Sequence, residues 1–159
     1  MSRRPLSFWH PASLIATWFG SGLLPRLPGT WGSLAALPFA VAIVLLGGPW
    51  ALLGAAVLAF LAGLWASGIY AAAHGSDDPG PVVIDEVAGQ WLALVLVPLD
   101  PLLYAVAFVA FRIFDVLKPW PANYFDQHLP GAWGIMMDDI AAAVYAGALT
   151  YGVVYLTTV

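Results

Sequence analysis

FRIFDVLKPWP, residues 111–121, joins a wholly apolar segment to a charged one. Arg112, Asp115 and Lys118 stand at i, i+3 and i+6, so on a helix they lie along one face. The preceding run, PLLYAVAFVAF at 101–111, has no polar group beyond one Tyr hydroxyl and is read as membrane-buried helix. Pro119 and Pro121 then stop the helix, because Pro cannot continue it and restricts the residue before it. A helix built this way delivers Arg, Asp and Lys to one membrane surface at a defined depth.

Outward from that segment, the composition agrees. The chain has 159 residues, 62% hydrophobic and 9% charged, with mean hydropathy +0.87. Soluble domains carry about 25% charged residues. The chain therefore reads as an all-α, polytopic membrane bundle forming one domain over 1–159. Five basic residues without a basic stripe argue against nucleic-acid binding. Zero Cys excludes disulfides, thiol catalysis and thiolate metal sites.

About five membrane helices are expected, with a short interfacial or re-entrant helix at 11–19 ahead of them. Trp9 and Trp18 suit interfacial depth. GSGLLPRLPGTWGS at 20–33 is a loop by its Gly, Ser and Pro content. Apolar stretches follow at 31–46, 50–73, 82–97, 101–111 and 135–159. Gly47-Gly48-Pro49 and residues 98–101 are turns; 74–81 and 118–134 are polar connections. Ala59, Gly63 and Ser67 form a small-residue stripe for close helix packing, and Ala143, Gly147 and Tyr151 continue the face of Asp139. Several stretches fall short of the ~20 residues a span requires, so their helices are expected to end in a polar site.

With Arg3 and Arg4 inside, alternation puts all five basic residues at the cytoplasmic face. It also brings five carboxylates there: Asp85 and Glu86 at the start of the third helix, Asp115 at the end of the fourth, and Asp138 and Asp139 at the start of the fifth. Carboxylates near hydrocarbon are costly and repel one another. A hard divalent cation relieves both penalties, and Mg²⁺ takes carboxylate oxygens together with substrate phosphate. The competing readings are pairing with Arg112 and Lys118, or helix capping, which Asp138 alone would satisfy. Asp85, Glu86 and Asp139 are assigned as the metal ligands, with Arg112 and Lys118 facing phosphate. For Lys118 the alternative is a lysine snorkelling at a helix end. In the Gly-rich loop, Gly29, Thr30, Gly32 and Ser33 offer backbone N–H groups to an anion. His10, His74 and His128 read as interfacial or loop residues.

Four segments together resemble the phosphatidylglycerophosphatase A family of bacterial membrane phosphatases. They are GSGLLPRLPGTWGSLAA at 20–36, IDEVAGQW at 84–91, FRIFDVLKPWP at 111–121, and YFD with GIMMDDIAAA at 124–126 and 134–143. The resemblance implies Mg²⁺-dependent hydrolysis of phosphatidylglycerol phosphate to phosphatidylglycerol and inorganic phosphate. It also implies a multi-pass protein of the bacterial cytoplasmic membrane, with its site on the cytoplasmic face. The family's acidic positions fall on Asp85, Glu86, Asp115, Asp138 and Asp139 as the catalytic set, and its loop core on residues 28–33. Direct attack by water fits, since no phosphohistidine or D-x-D nucleophile arrangement is present. Two other classes compete: a small proton- or cation-coupled transporter, and a non-catalytic lipid-binding subunit. Release of phosphate from a lipid phosphate separates the enzyme from both.

Overall fold

The structure, a computed structural model, describes residues 5–158. All regular structure among them is helical: α1 (Pro11–Ala16), α2 (Pro28–His74), α3 (Ile84–Leu94), α4 (Pro101–Leu117), α5 (Ala122–His128) and α6 (Ala132–Thr158), with a 3-10 turn at Ser21–Leu23. Arg3 and Arg4, from which the expected sidedness was traced, lie outside the described residues.

The expected turn at 47–49 divides α2 into two arms. Gly48 has φ 74° and ψ −174°, a backbone conformation that suits glycine. Pro49 follows as the second arm begins, where a missing N–H costs least. The arms are antiparallel. A Cβ on Gly32 would come within 2.6 Å of Val83, and one on Gly63 within 3.3 Å of Ile84, so both arms meet the start of α3. Beyond its other end, Val44, Trp50 and Val95 line one cavity.

α3 is the enclosed centre of the bundle. Ile84, Val87, Ala88, Gly89, Gln90, Trp91, Ala93 and Leu94 are all buried. The Trp91 indole donates to the Ala36 carbonyl of the first arm at 2.9 Å, and Trp18 meets the Trp91 ring edge-on at 5.4 Å. The stripe Ala59, Gly63 and Ser67 is buried, and a Cβ on Gly63 would meet the Met136 side chain at 2.6 Å. Gly89 lets three helices converge: a Cβ there would lie 2.7 Å from the Phe111 ring and 3.0 Å from the Asp139 carbonyl. At 11 residues α3 is about 16 Å long, shorter than the 82–97 stretch suggested because the chain after Leu94 turns away.

Two helices, α2 and α6, are long and apolar enough to cross a membrane. Only 11% and 28% of their most apolar windows are buried, whereas the core helix of a soluble protein would be largely covered. Leu46, Leu58, Leu102 and Leu156 are also exposed. The chain is a membrane protein.

Four expectations are corrected. α1 ends at Ala16 and not at Phe19, because Trp18 and Phe19 take φ of 45° and 55°. Residues 28–33 are not loop: Pro28 opens α2, and the N–H groups of Thr30 and Trp31 already donate to the Leu27 carbonyl. The 118–134 connection contains α5, where a helix of seven residues forms between Pro121 and Leu129. Tyr151 is exposed; Ala146 and Thr150 carry the buried face of α6 instead.

Candidate active site

The start of α3 is pinned before its acids appear, since the Val83 N–H donates to the Ala16 carbonyl at 2.8 Å. Asp85 and Glu86 then occupy the first turn of α3. α4 contributes Arg112 and Asp115, and α6 contributes Asp138 and Asp139. α6 begins at Ala132 with no acid in its first turn, so the two aspartates are not at the helix start as expected. Helix-dipole stabilisation fades within one turn, which removes capping as the reason for Asp138.

One oxygen from each of Asp85, Glu86 and Asp139 lies within 4.8 Å of the others, and the same holds for Asp115, Asp138 and Asp139. Asp139 belongs to both groups and is 2% exposed. Arg112 forms ion pairs with Asp115 and, at 3.7 Å, with Glu86. Lys118 Nζ donates to Asp126 and to Asp138, both at 2.6 Å. Asp85 Oδ1, Glu86 Oε2 and Asp139 Oδ2 are buried acceptors without a hydrogen-bond partner among the described residues. Such orphaned groups are costly, and costlier when charged. Either acidic group could hold a metal ion through one oxygen of each residue; the second is already braced by Lys118 and Arg112, and Arg112 also pairs with Glu86 of the first.

Lys118 is the C-cap of α4, with left-handed backbone (φ 46°, ψ 60°) and its N–H donating to the Phe114 carbonyl at 2.9 Å. Its partial burial pulls the ammonium pKa down, but the bonds to Asp126 and Asp138 outweigh this and raise it above the ordinary lysine value. A snorkelling lysine would face water or headgroups; this one ties α4 to α5 and α6.

Of the four residues expected to cradle phosphate, Gly29 abuts the cluster. A Cβ there would collide with Glu86 Oε1 and lie 2.9 Å from Arg112 Nη2, so only glycine lets the first turn of α2 rest on that pair. Thr30 lines a neighbouring groove, Gly32 packs on Val83, and Ser33 is fully buried. None of the three histidines joins the acids in either group. His10 caps α1, while His74 and His128 stack on Tyr70 and Tyr124 with centroids 4.0 and 4.4 Å apart.

Two acids were missed. Asp126 is the second partner of Lys118; it stands in the YFD segment of the resemblance, but inside a connection that reads as loop it was given no role. Asp78, exposed in the 75–83 connection, faces the same charges. Partial desolvation raises its pKa, Lys118 lowers it, and Asp126 and Asp115 raise it further. Nothing in the sequence around Asp78 links it to residues 115–126.

Fold and site together define a helical membrane protein with an acidic, cation-braced cluster where the ends of α3, α4 and α6 converge. The profile of the family Phosphatidylglycerophosphatase A matches residues 14–154. Phosphatidylglycerophosphatase A of Escherichia coli (strain K12) is 40% identical over 153 residues, covering 95% of this chain and 88% of that protein. The Haemophilus influenzae protein of the same name is 39% identical over 153 residues, covering 96% and 94%. A Bacteroides thetaiotaomicron relative, 39% identical over 146 residues and covering 84% and 87%, carries the provisional name phosphatidylinositol-3-phosphatase. No solved structure matches the chain. The chain belongs to the phosphatidylglycerophosphatase A family.

Proposed function

We infer that this protein is a phosphoric monoester hydrolase that converts phosphatidylglycerol phosphate to phosphatidylglycerol and inorganic phosphate in phospholipid synthesis. The observation that carries the reading is the match along nearly the whole chain to two proteins of that name.

The cofactor is Mg²⁺, held by Asp85, Glu86 and Asp139. The support is the donor set: all-oxygen, anionic and buried, with one orphaned oxygen on each residue. When bound there, such an ion would supply positive charge to the phosphate oxygens and would make a water more acidic. The chain's own groups do the rest. Arg112 and Lys118 offset the charge of the phosphate dianion, which otherwise repels a nucleophile. Lys118 has three N–H donors, of which Asp126 and Asp138 take two, leaving one for a phosphate oxygen. Asp115 and Asp138, outside the metal triad, are the carboxylates from which the base that accepts the water proton is drawn. Gly29 keeps the first turn of α2 close enough for its backbone to border the phosphate; Thr30, Gly32 and Ser33 hold that turn in place.

The bundle crosses the membrane with both arms of α2, with α4 and with α6, and encloses α3 as the fifth membrane helix, all in one domain. The cluster lies at the cytoplasmic face, where Arg26, Arg112 and Lys118 satisfy the positive-inside bias. A transporter would need acids along a path through the bundle. Here the two acidic groups share Asp139 and occupy one end.

The test is phosphate release by the purified chain in mixed micelles. Release from phosphatidylglycerol phosphate, lost with EDTA and restored by excess Mg²⁺, is expected. No release overturns the activity, release insensitive to EDTA overturns the metal, and faster release from phosphatidylinositol 3-phosphate reassigns the substrate.

A further inference from the structure

Beside the cluster, the chain builds a groove of about 600 Å³ between the loop ahead of α2, the first turns of α2 and the middle of α4. Its walls are Leu27, Trp31, Leu34 and Phe108, and Arg26 stands among them. Arg26 and Leu27 take φ of 59° and 46°, a left-handed pair that side chains seldom adopt. The Trp31 indole donates to the Pro25 carbonyl at 3.4 Å, tying the groove wall to this loop. Arg112 and Lys118 are each bound to two carboxylates. Arg26 is exposed and, among the described residues, is the one Lys or Arg in no ion pair.

The groove borders the site along the first turn of α2: Thr30 and Trp31 line it, and Gly29, one residue earlier, abuts Glu86 and Arg112. A lipid bearing only one phosphate would leave a second cation here without a partner. Phosphatidylglycerol phosphate carries a second, singly charged phosphodiester, one glycerol unit from the monoester, and acyl chains beyond it. We propose, resting on the activity inferred above, that Arg26 binds that phosphodiester and that the groove beside it takes the adjoining acyl chain. Arg26 thereby selects lipids with a diester over lipid monophosphates that lack one. Guanidinium suits a diester because two parallel N–H donors match its two free oxygens.

The experiment reads binding separately from turnover. The purified full chain is titrated with phosphatidylglycerol carrying brominated acyl chains, which keeps the diester and lacks the monoester; of its eight Trp, the quenching that disappears in Trp31→Phe reports entry into the groove. The apparent Kd is expected to rise about tenfold in Arg26→Gln and far less in Arg26→Lys, which keeps the charge. Brominated diacylglycerol, which keeps the acyl chains and carries no phosphodiester, is the control. Unchanged phosphatidylglycerol affinity in Arg26→Gln overturns the assignment. Equal loss for both lipids also overturns it, since that marks general disruption of the groove. In the working enzyme, Arg26→Gln should raise KM for phosphatidylglycerol phosphate while kcat holds; a fall in kcat alone counts against it. A parent chain that releases no phosphate would sink the activity and still leave the binding result readable.

Discussion

At Lys118 the backbone turns left-handed just as α4 ends, and the ammonium lands between Asp126 and Asp138. The position serves two purposes that a substitution can separate. As a tie, it joins α4 to α5 and α6; losing one partner of a partly buried pair costs about 1–3 kcal/mol. As a donor to phosphate, it acts on the reaction. Lys118→Met should lower kcat roughly 100-fold or more, the loss typical of a donor to developing charge. Lys118→Arg should retain part of the activity, because the charge stays while the geometry changes. The check is phosphate release at matched membrane abundance. Parent-like turnover in the Met variant would leave Lys118 as a tie only.

Among the elements, the hairpin turn at Gly48 and the buried central helix carry the architecture. The turn was legible because Gly-Gly-Pro has few other uses between apolar runs, and the small-residue stripe because its four-residue spacing survives into packing. What could not be read was where a helix starts when the sequence looks like loop. Pro28 opens α2 inside a Gly- and Pro-rich segment, and Ala132 opens α6 six residues before Asp138, because tertiary contacts such as Gly29 against Glu86 set those boundaries. The acids and cations of the cluster were legible by their rarity in an apolar chain. Asp78 and Asp126 were not, since an acid in a polar connection looks the same whether or not a lysine faces it. The order of the elements implies sidedness. Single cysteines at Ser76 and Gln127 should be labelled only from the cytoplasmic side, and one at Gly48 only from the other, in a chain with no native Cys. Labelling of Ser76 and Gly48 from the same side would contradict the hairpin's crossing of the membrane.

Among the described residues, the bundle keeps its apolar surface outward and gathers both acidic groups, with Arg112 and Lys118, at the end opposite Asp100. The burial of Asp139 at 2% exposure shows how tightly that end is closed. Helices that converge through Gly89 hold the acids of α3 and α6 near enough to share one ion, while Arg112 and Lys118 keep the remaining carboxylates paired. Under the proposed function, metal and phosphate charge come side by side at that end. The measurement that bears most directly on this is the Mg²⁺ dependence of phosphate release from phosphatidylglycerol phosphate, compared between the parent and Asp139→Asn. Asn keeps the shape and one oxygen but removes the charge shared by both acidic groups. The parent should saturate with Mg²⁺, and the variant should need far more Mg²⁺ and reach a much lower rate. Superimposable Mg²⁺ curves for the two would contradict the metal site and the mechanism built on it.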